Sequence, residues 1–306
     1  MNCSVAVIVD AETCAARQAI QAVTDWFMAW EQCLSGSLVS SELNQLNATH
    51  GGQWVRVSSD LWAVLQSATW ACDWSHGFVS PLIGTAPYDV RCCCRFASDP
   101  VEPVEPVEPI KRKVTQAIAS DEPGWLELDA VHHSARLPLC ARLDVSGITQ
   151  GWVAQQAVQR LAAFGPTLVD VGGDIAMSAR AGNRPWPIEV AAASGDSSPD
   201  LLCVSAGGVA TSGQEFRRWR TENIGQIPIN TPIDIRTGQP AATDVITATV
   251  MAPDVMMAEA AAQTVLILGS RAGMKWLESR TQLAGSLVLA NGEIVRSSRL
   301  KTYLWR

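Results

Sequence analysis

The sequence predicts an α+β protein in which helices pack on a mostly antiparallel sheet. With 306 residues, 47% of them hydrophobic and 17% charged, the chain can bury a substantial core. Segments typical of strands and of helices follow one another without the regular alternation of a doubly wound α/β protein. No Gly-x-Gly-x-x-Gly turn follows a strand and no Walker motif is present, which disfavours Rossmann dehydrogenases and P-loop NTPases.

The N-terminal part of the chain is predicted to form one strand and two helices. The apolar run Val5–Val9 suits a strand. Apolar side chains then recur every three or four residues over Ile20–Leu34, which predicts a helix with one apolar stripe. A second helix is predicted over about Ser58–Trp74, with Ser58 or Ser59 as its N-cap.

The middle of the chain is predicted to add a strand pair over Trp125–Leu137. A helix is expected after Gly147, because apolar side chains form one stripe from Val153 to Phe164 and Gly165-Pro166 ends it. Four further strands are predicted at Thr167–Val171, Pro187–Ala191, Leu201–Ala206 and Ile246–Met251.

The C-terminal part is predicted to hold two helices and a hairpin. Asp254 is suited to cap a helix over about Val255–Leu268, which Gly269 closes. Another helix is predicted over about Ala272–Ser279. Two apolar strands flank Asn291-Gly292, the strongest local signature of a type I′ hairpin.

Residues 1–306 are expected to form one domain, with residues 99–112 as a Val-Glu-Pro-rich linker or surface loop within it. Proline at every third residue removes amide donors and favours an extended conformation, so this segment does not belong to a core. It is not a domain boundary, because the part of the chain before it is too small to complete a core alone.

Charge and composition restrict the partners and the compartment. The net charge of −7 disfavours nucleic acids and anionic membranes, which are themselves polyanions. The N-terminus has neither the basic segment and apolar run of a signal peptide nor a lipobox, and no run is long enough for a membrane span. We therefore expect a cytoplasmic protein. Its nine cysteines, including Cys92-Cys93-Cys94, are interpreted as free thiols.

Several motifs occur in a fixed order between about residues 40 and 270. They read Ser-Glu-Leu-Asn-Gln-Leu-Asn at 41–47, Leu-Asp-Val-Ser-Gly-Ile-Thr-Gln-Gly-Trp at 143–152, Leu-Val-Asp-Val-Gly-Gly-Asp-Ile at 168–175, Val-Ala-Thr-Ser-Gly at 209–213 and Ile-Asp-Ile-Arg-Thr-Gly at 233–238. An alanine-rich segment at 258–269 completes the series. Together these motifs resemble the ApbE-type FAD:protein FMN transferase family.

The resemblance implies an ApbE-like fold, related to the T-fold, and a defined activity. Members of that family move FMN from FAD to a Ser or Thr hydroxyl of an acceptor protein. The hydroxyl attacks a diphosphate and AMP leaves, so the phosphates need charge neutralisation, which Mg²⁺ commonly supplies. The implied cofactors are therefore FAD, as substrate, and Mg²⁺. The implied partner is a flavin-acceptor protein with a Ser/Thr target.

The resemblance also assigns candidate site residues, position by position. The catalytic candidates are Asp234, Arg236 and Thr231. The flavin-binding candidates are Glu42, Phe78, Asp144, Gln150, Gly172, Gly173, Asp174, Ser212, Gly213 and Ile233. Two readings of Gly172-Gly173 stay open, since glycines there would serve either a tight turn with positive φ or the close approach of a phosphate or flat ring.

The implied metal ligands are the carbonyl of Gly147 and the side chains of Glu259 and Gln263, where the family has Asp and Thr. A spacing of four residues places Glu259 and Gln263 on one helical face. Both carry oxygen atoms, which Mg²⁺ accepts as ligands. Glu is nevertheless one methylene longer than Asp, an amide replaces a hydroxyl, and octahedral Mg²⁺ tolerates such shifts poorly.

Other positions also depart from the family pattern. Thr231 stands where the family has His, and a Thr hydroxyl does not titrate near neutral pH. Gln150 replaces a Lys or acidic residue, Gln155 replaces Asp, and Val79 stands where an Asp would follow Phe78.

These departures leave three candidate functions. The first is an active FMN transferase. The second is a catalytically impaired protein of the same fold that binds flavin or a partner protein. The third, an unrelated hydrolase with Ser212 as nucleophile, is disfavoured because the surrounding residues are not Gly-x-Ser-x-Gly.

Overall fold

The computed structural model describes residues 3–49, 51–83, 125–139, 141–190, 200–213, 233–234 and 239–305. The segment at 99–112, Cys92-Cys93-Cys94, Thr231 and Arg236 lie outside these ranges. Within them six α-helices are present: α1 (Cys14–Gln21), α2 (Val23–Leu34), α3 (Glu42–Asn47), α4 (Ser59–Trp74), α5 (Ser146–Leu161) and α6 (Val255–Glu278).

The strands of the described ranges form one seven-stranded sheet, one three-stranded sheet and three two-stranded pairs. They are β1 (Val5–Val9), β2 (Trp54–Arg56), β3 (Leu82–Ile83), β4 (Glu127–Asp129), β5 (Ser134–Arg136), β6 (Arg142–Leu143), β7 (Thr167–Val171), β8 (Asp174–Met177), β9 (Trp186–Val190), β10 (Asp200–Val204), β11 (Gly207–Gly213), β12 (Ile233–Asp234), β13 (Gln239–Pro240), β14 (Val245–Ala252), β15 (Ala284–Leu289) and β16 (Ile294–Arg296).

The large sheet has seven strands in the order β1-β7-β8-β11-β14-β15-β16. Each neighbouring pair is antiparallel. The predicted fold class, α+β with a mostly antiparallel sheet, is therefore confirmed.

Successive residues of a strand point to opposite sides of the sheet. Apolar clusters cover this sheet on both sides. Val169, Val250 and Ala210 pack into the apolar layers on the side of α5 and α6. Leu168 and Met251 belong to a third apolar cluster, shared with β9, β10 and Leu300. Burial on both faces fixes the register of the central strands, and hence the positions of the residues at their ends.

The helix α6 begins in direct contact with the sheet and bends once. A Cβ atom added at Gly208 of β11 would overlap the backbone of Val255, so the first turn of α6 lies on the bare glycine. Asp254 caps α6 by accepting a hydrogen bond from the Met257 amide at 2.8 Å. Gly269 has φ 77° and ψ 172° and breaks the helical path, as the sequence predicts.

Two predictions of local structure were wrong. The stripe over Ile20–Leu34 is divided between α1 and α2, which are joined at Ala22. The Asn291-Gly292 turn is not type I′, because that turn needs positive φ at both central residues and Asn291 has none. The Gly292 amide bonds to the Leu289 carbonyl at 2.9 Å and Gly292 has φ 84°, which describes a three-residue loop with a glycine bulge.

In the parts of the chain that the structure describes, none of the helices combines the length and the apolar character that crossing a membrane requires.

Candidate functional site

Seven of the predicted site residues lie where α5, α6 and the β7–β8 hairpin meet. The first turns of α5 supply Gly147 and Gln150, and the hairpin supplies Gly172, Gly173 and Asp174. Glu259 and Gln263 point from α6 toward the same place, as their spacing predicts. We call this place the α5–α6 junction.

The side-chain amide of Gln263 bonds directly to the backbone of α5. Its Nε2 donates to the carbonyl oxygen of Gly147 over 2.6 Å. A Cβ atom at Gly147 would lie 2.6 Å from Oε1 of Gln263, so the amide packs flat against this glycine. The space beside the carbonyl is therefore filled by a hydrogen-bond donor.

The carboxyl of Glu259 is buried and also contacts the backbone of α5. Its Oε2 accepts a hydrogen bond from the amide of Gly151 at 3.0 Å, and only 3% of the residue is exposed. A Cβ atom at Gly151 would lie 2.7 Å from this oxygen. Close approach of α5 to α6 thus requires glycine at this position.

Glu259 shares a hydrogen bond with Asp174, the first residue of β8, whose side chain is also buried. Burial raises the pKa of both carboxyls, and their mutual repulsion raises the pKa of Glu259 further. The backbone amide of Thr211 bonds to Asp174 and partly offsets this rise in pKa. Both carboxyls are therefore biased toward their protonated forms, and a proton on one of them allows the hydrogen bond between them.

Gly172 and Gly173 form the turn of the β7–β8 hairpin. Val171 pairs with Asp174, so the loop has two residues, with φ 65° at Gly172 and 99° at Gly173. Positive φ at both residues is the requirement of a type I′ turn, which supports the tight-turn reading. Gly173 nevertheless has open space beside it, whereas a Cβ atom at Gly172 would lie 2.8 Å from Nε2 of Gln150.

The motif at 41–47 supports the loop that leads into α5. Asn47 makes two hydrogen bonds to the backbone of Leu143, accepting from its amide at 2.7 Å and donating to its carbonyl at 3.0 Å. Asp144 follows, exposed, and accepts from the amide of Ser146 at 2.8 Å. The role of Asn47 could not be predicted from the motif at 41–47, because its partners are backbone atoms 96 positions later in the chain.

Glu42 lies at the start of α3 and bonds to the start of α4. Its carboxylate accepts from both the amide and the hydroxyl of Ser58, each at 2.5 Å, and from the thiol of Cys33 at 3.2 Å. Ser58 is the N-cap of α4. Glu42 therefore links the start of α3 to the start of α4. Its flavin-binding role stays a prediction.

The remaining candidates are spread over other elements. Phe78 follows α4 after a turn with positive φ at His76 and Gly77. Ser212 and Gly213 end β11 and are half-buried. Asp234 is buried in β12, next to Ile233 in the chain, and pairs with Gln239 of β13. Thr231 and Arg236 are outside the described residues.

Two contacts at the α5–α6 junction are not predictable from the sequence. The amide of Gly151 is the partner of Glu259, and the carboxylate of Asp170 accepts from the amide of Gly173 at 2.8 Å. In both cases one partner is a backbone amide. Every residue other than proline has one, so the residue type does not indicate which amide takes part. The glycine four residues after Gly147 was the one available signal.

The residues at the implied Mg²⁺ position do not fit an octahedral cation as they lie. Such an ion needs oxygen ligands at about 2.1 Å with near-ideal angles. The carbonyl of Gly147 faces an amide nitrogen of Gln263, and the carboxyl of Glu259 is bonded to Gly151 and Asp174. The donors implied by the resemblance are thus engaged with the protein.

Comparisons with known proteins agree with this architecture. The model of the ApbE family matches residues 1–287. The FAD:protein FMN transferase of Treponema pallidum (strain Nichols) is 27% identical over 267 residues, which cover 82% of this chain and 71% of that protein.

Solved structures show the same fold. The ApbE protein of Thermotoga maritima superposes with a TM-score of 0.75 at 20% identity, covering 99% of this chain and 96% of the other. The flavin transferase ApbE of Vibrio cholerae gives a TM-score of 0.70 at 18% identity, with the same coverage. Since the family model spans nearly all of the sequence, this chain belongs to the ApbE family.

Proposed function

We propose that this chain is a flavin transferase that takes FAD as substrate and moves FMN to a Ser or Thr hydroxyl of an acceptor protein. The observation that carries the proposal is the match to the ApbE family over residues 1–287. The convergence of Gln150, Gly172 and Asp174 at one place adds to it, because the family's motifs supply all three.

In this reaction the acceptor hydroxyl oxygen bonds to the phosphorus of the FMN half of FAD. The bond from that phosphorus to the bridging oxygen breaks, AMP leaves with the electron pair, and the hydroxyl loses its proton. Exposed Gly172 and the open space at Gly173 suit close approach of a phosphate or a ring. The buried carboxyl of Asp234 is the candidate proton acceptor, and Arg236 is the candidate cation for the diphosphate.

A second candidate is a flavin-binding protein of the same fold without transfer activity. Thr231 stands where the resemblance implies a His, so this position supplies no titrating base near neutral pH. Gln150 also lacks the charge of the family's Lys or acidic residue at its position.

The deciding assay mixes the purified chain with FAD and a flavin-acceptor domain that carries a Ser/Thr target, with Mg²⁺ and with EDTA. The proposal expects the acceptor to gain the mass of one FMN, and an acceptor with that target replaced by Ala to gain nothing. An unchanged acceptor together with FAD binding supports the second candidate. Absence of both transfer and FAD binding contradicts both.

A further inference from the structure

We propose that Glu259 and Gln263 replace the divalent cation of this site with a direct hydrogen-bonded clamp between α6 and α5, so that flavin nucleotide binding does not depend on Mg²⁺. The flavin part of this inference rests on the proposed function. The clamp itself rests on contacts among described residues.

At each end of the clamp a hydrogen-bond donor meets an acceptor. In an α-helix the carbonyl of one residue and the amide of the residue four positions later belong to the same backbone hydrogen-bond pair. Gly147 and Gly151 have this spacing in α5, and Glu259 and Gln263 have the same spacing in α6. The carboxyl of Glu259 accepts from the amide of Gly151, while the amide of Gln263 donates to the carbonyl of Gly147.

The clamp also fills the space at its two glycines. Cβ atoms at Gly147 and Gly151 would lie 2.6 Å and 2.7 Å from oxygens of Gln263 and Glu259. The longer side chains at 259 and 263 therefore occupy the surface of α5 directly. A cation at the Gly147 carbonyl would have to displace the Nε2 group of Gln263, which lies 2.6 Å from that oxygen.

Asp174 connects Glu259 to the strands of the large sheet. Glu259 bonds to it, and Asp174 in turn bonds to the backbone amide of Thr211 in β11. The polar groups that face the junction thus form a continuous set from α6 to α5, β8 and β11. Buried polar groups in proteins are as a rule hydrogen-bonded, and this set meets that requirement through contacts within the protein.

Mn²⁺ is the probe for the cation part of the proposal, because the signal of free Mn²⁺ in electron paramagnetic resonance reports binding directly. The metal-stripped chain is expected to leave the Mn²⁺ signal unchanged. The variant Glu259→Asp/Gln263→Thr, which restores the family's residue types, is expected to bind Mn²⁺ at least tenfold more tightly. Saturable binding by the unaltered chain that is lost in Gln263→Met would overturn the proposal, even if the double variant does not fold.

A flavin titration tests the second part and separates it from the proposed function. Quenching of FAD fluorescence by the unaltered chain is expected to give the same Kd in EDTA and in Mg²⁺. A Kd at least tenfold tighter with Mg²⁺ overturns the inference. Absence of FAD binding in both solutions contradicts the proposed function instead, and the Mn²⁺ measurement then decides the clamp.

Discussion

Replacing Glu259 by alanine is expected to lower the free energy of unfolding by about 3 kcal/mol or more. The change removes the acceptor of the Gly151 amide and the partner of the Asp174 carboxyl, both inside the protein. It also leaves a cavity between α5 and α6, whose lining loses contacts. Urea unfolding followed by circular dichroism measures the difference.

Glu259→Gln is the matched control for that substitution. Its carbonyl oxygen can accept from Gly151 and its amide can donate to Asp174, so both contacts and the side-chain volume are kept. We expect this variant to lose no more than about 1.5 kcal/mol, the range of one ordinary hydrogen bond. Equal losses in the two variants would contradict the described role of the carboxyl.

Gly208→Ala is the second substitution with a large expected effect, about 3 kcal/mol or complete loss of folding. The added Cβ would overlap the backbone N and Cα of Val255 at the start of α6. A change of side-chain rotamer cannot relieve a clash with backbone, so α6 must move away from β11. Because α6 carries Glu259 and Gln263, such a movement also separates the α5–α6 junction.

Gly36→Ala provides the comparison for Gly208. Gly36 has no atoms within 4 Å of an added Cβ and does not have positive φ. This variant is expected to stay within about 0.5 kcal/mol of the unaltered chain. Thermal melts of both variants at one protein concentration make the comparison. If Gly208→Ala had the same melting temperature as Gly36→Ala, α6 would not lie directly on β11.

The helices were predictable where one side faces a core and their ends carry capping residues. Ser58 and Asp254 cap α4 and α6 as expected, and Gly269 divides α6. The strands β8 and β11 were not predicted. Each begins or ends in glycine-rich sequence, and β8 has only four residues. Their place in the sheet depends on pairing with distant strands, which local patterns do not record.

The two glycine turns show where local rules fail. Asn291-Gly292 predicts a two-residue hairpin, yet only Gly292 takes positive φ and the loop has three residues. Gly172-Gly173 forms the two-residue turn instead. Glycine satisfies positive φ in either loop, so the dipeptide alone does not decide the loop length.

The candidate site was predictable as a set of positions but not as a set of contacts. The resemblance groups Glu259 and Gln263 with Gly147, and the spacing of four residues gives the first two a common face. Their partners on α5 are backbone atoms of Gly147 and Gly151, more than 100 positions earlier in the chain. The sequence shows those glycines without showing which helix approaches them.

The most direct test of the clamp between α6 and α5 is a crystal structure of the chain soaked with FAD and MnCl₂, with anomalous scattering recorded for manganese. We expect flavin nucleotide density beside the β7–β8 hairpin at Gly172-Gly173, with Nε2 of Gln263 still on the carbonyl of Gly147 and no manganese peak there. A manganese peak coordinated by that carbonyl, Glu259 and Gln263 would show that the clamp does not replace a cation.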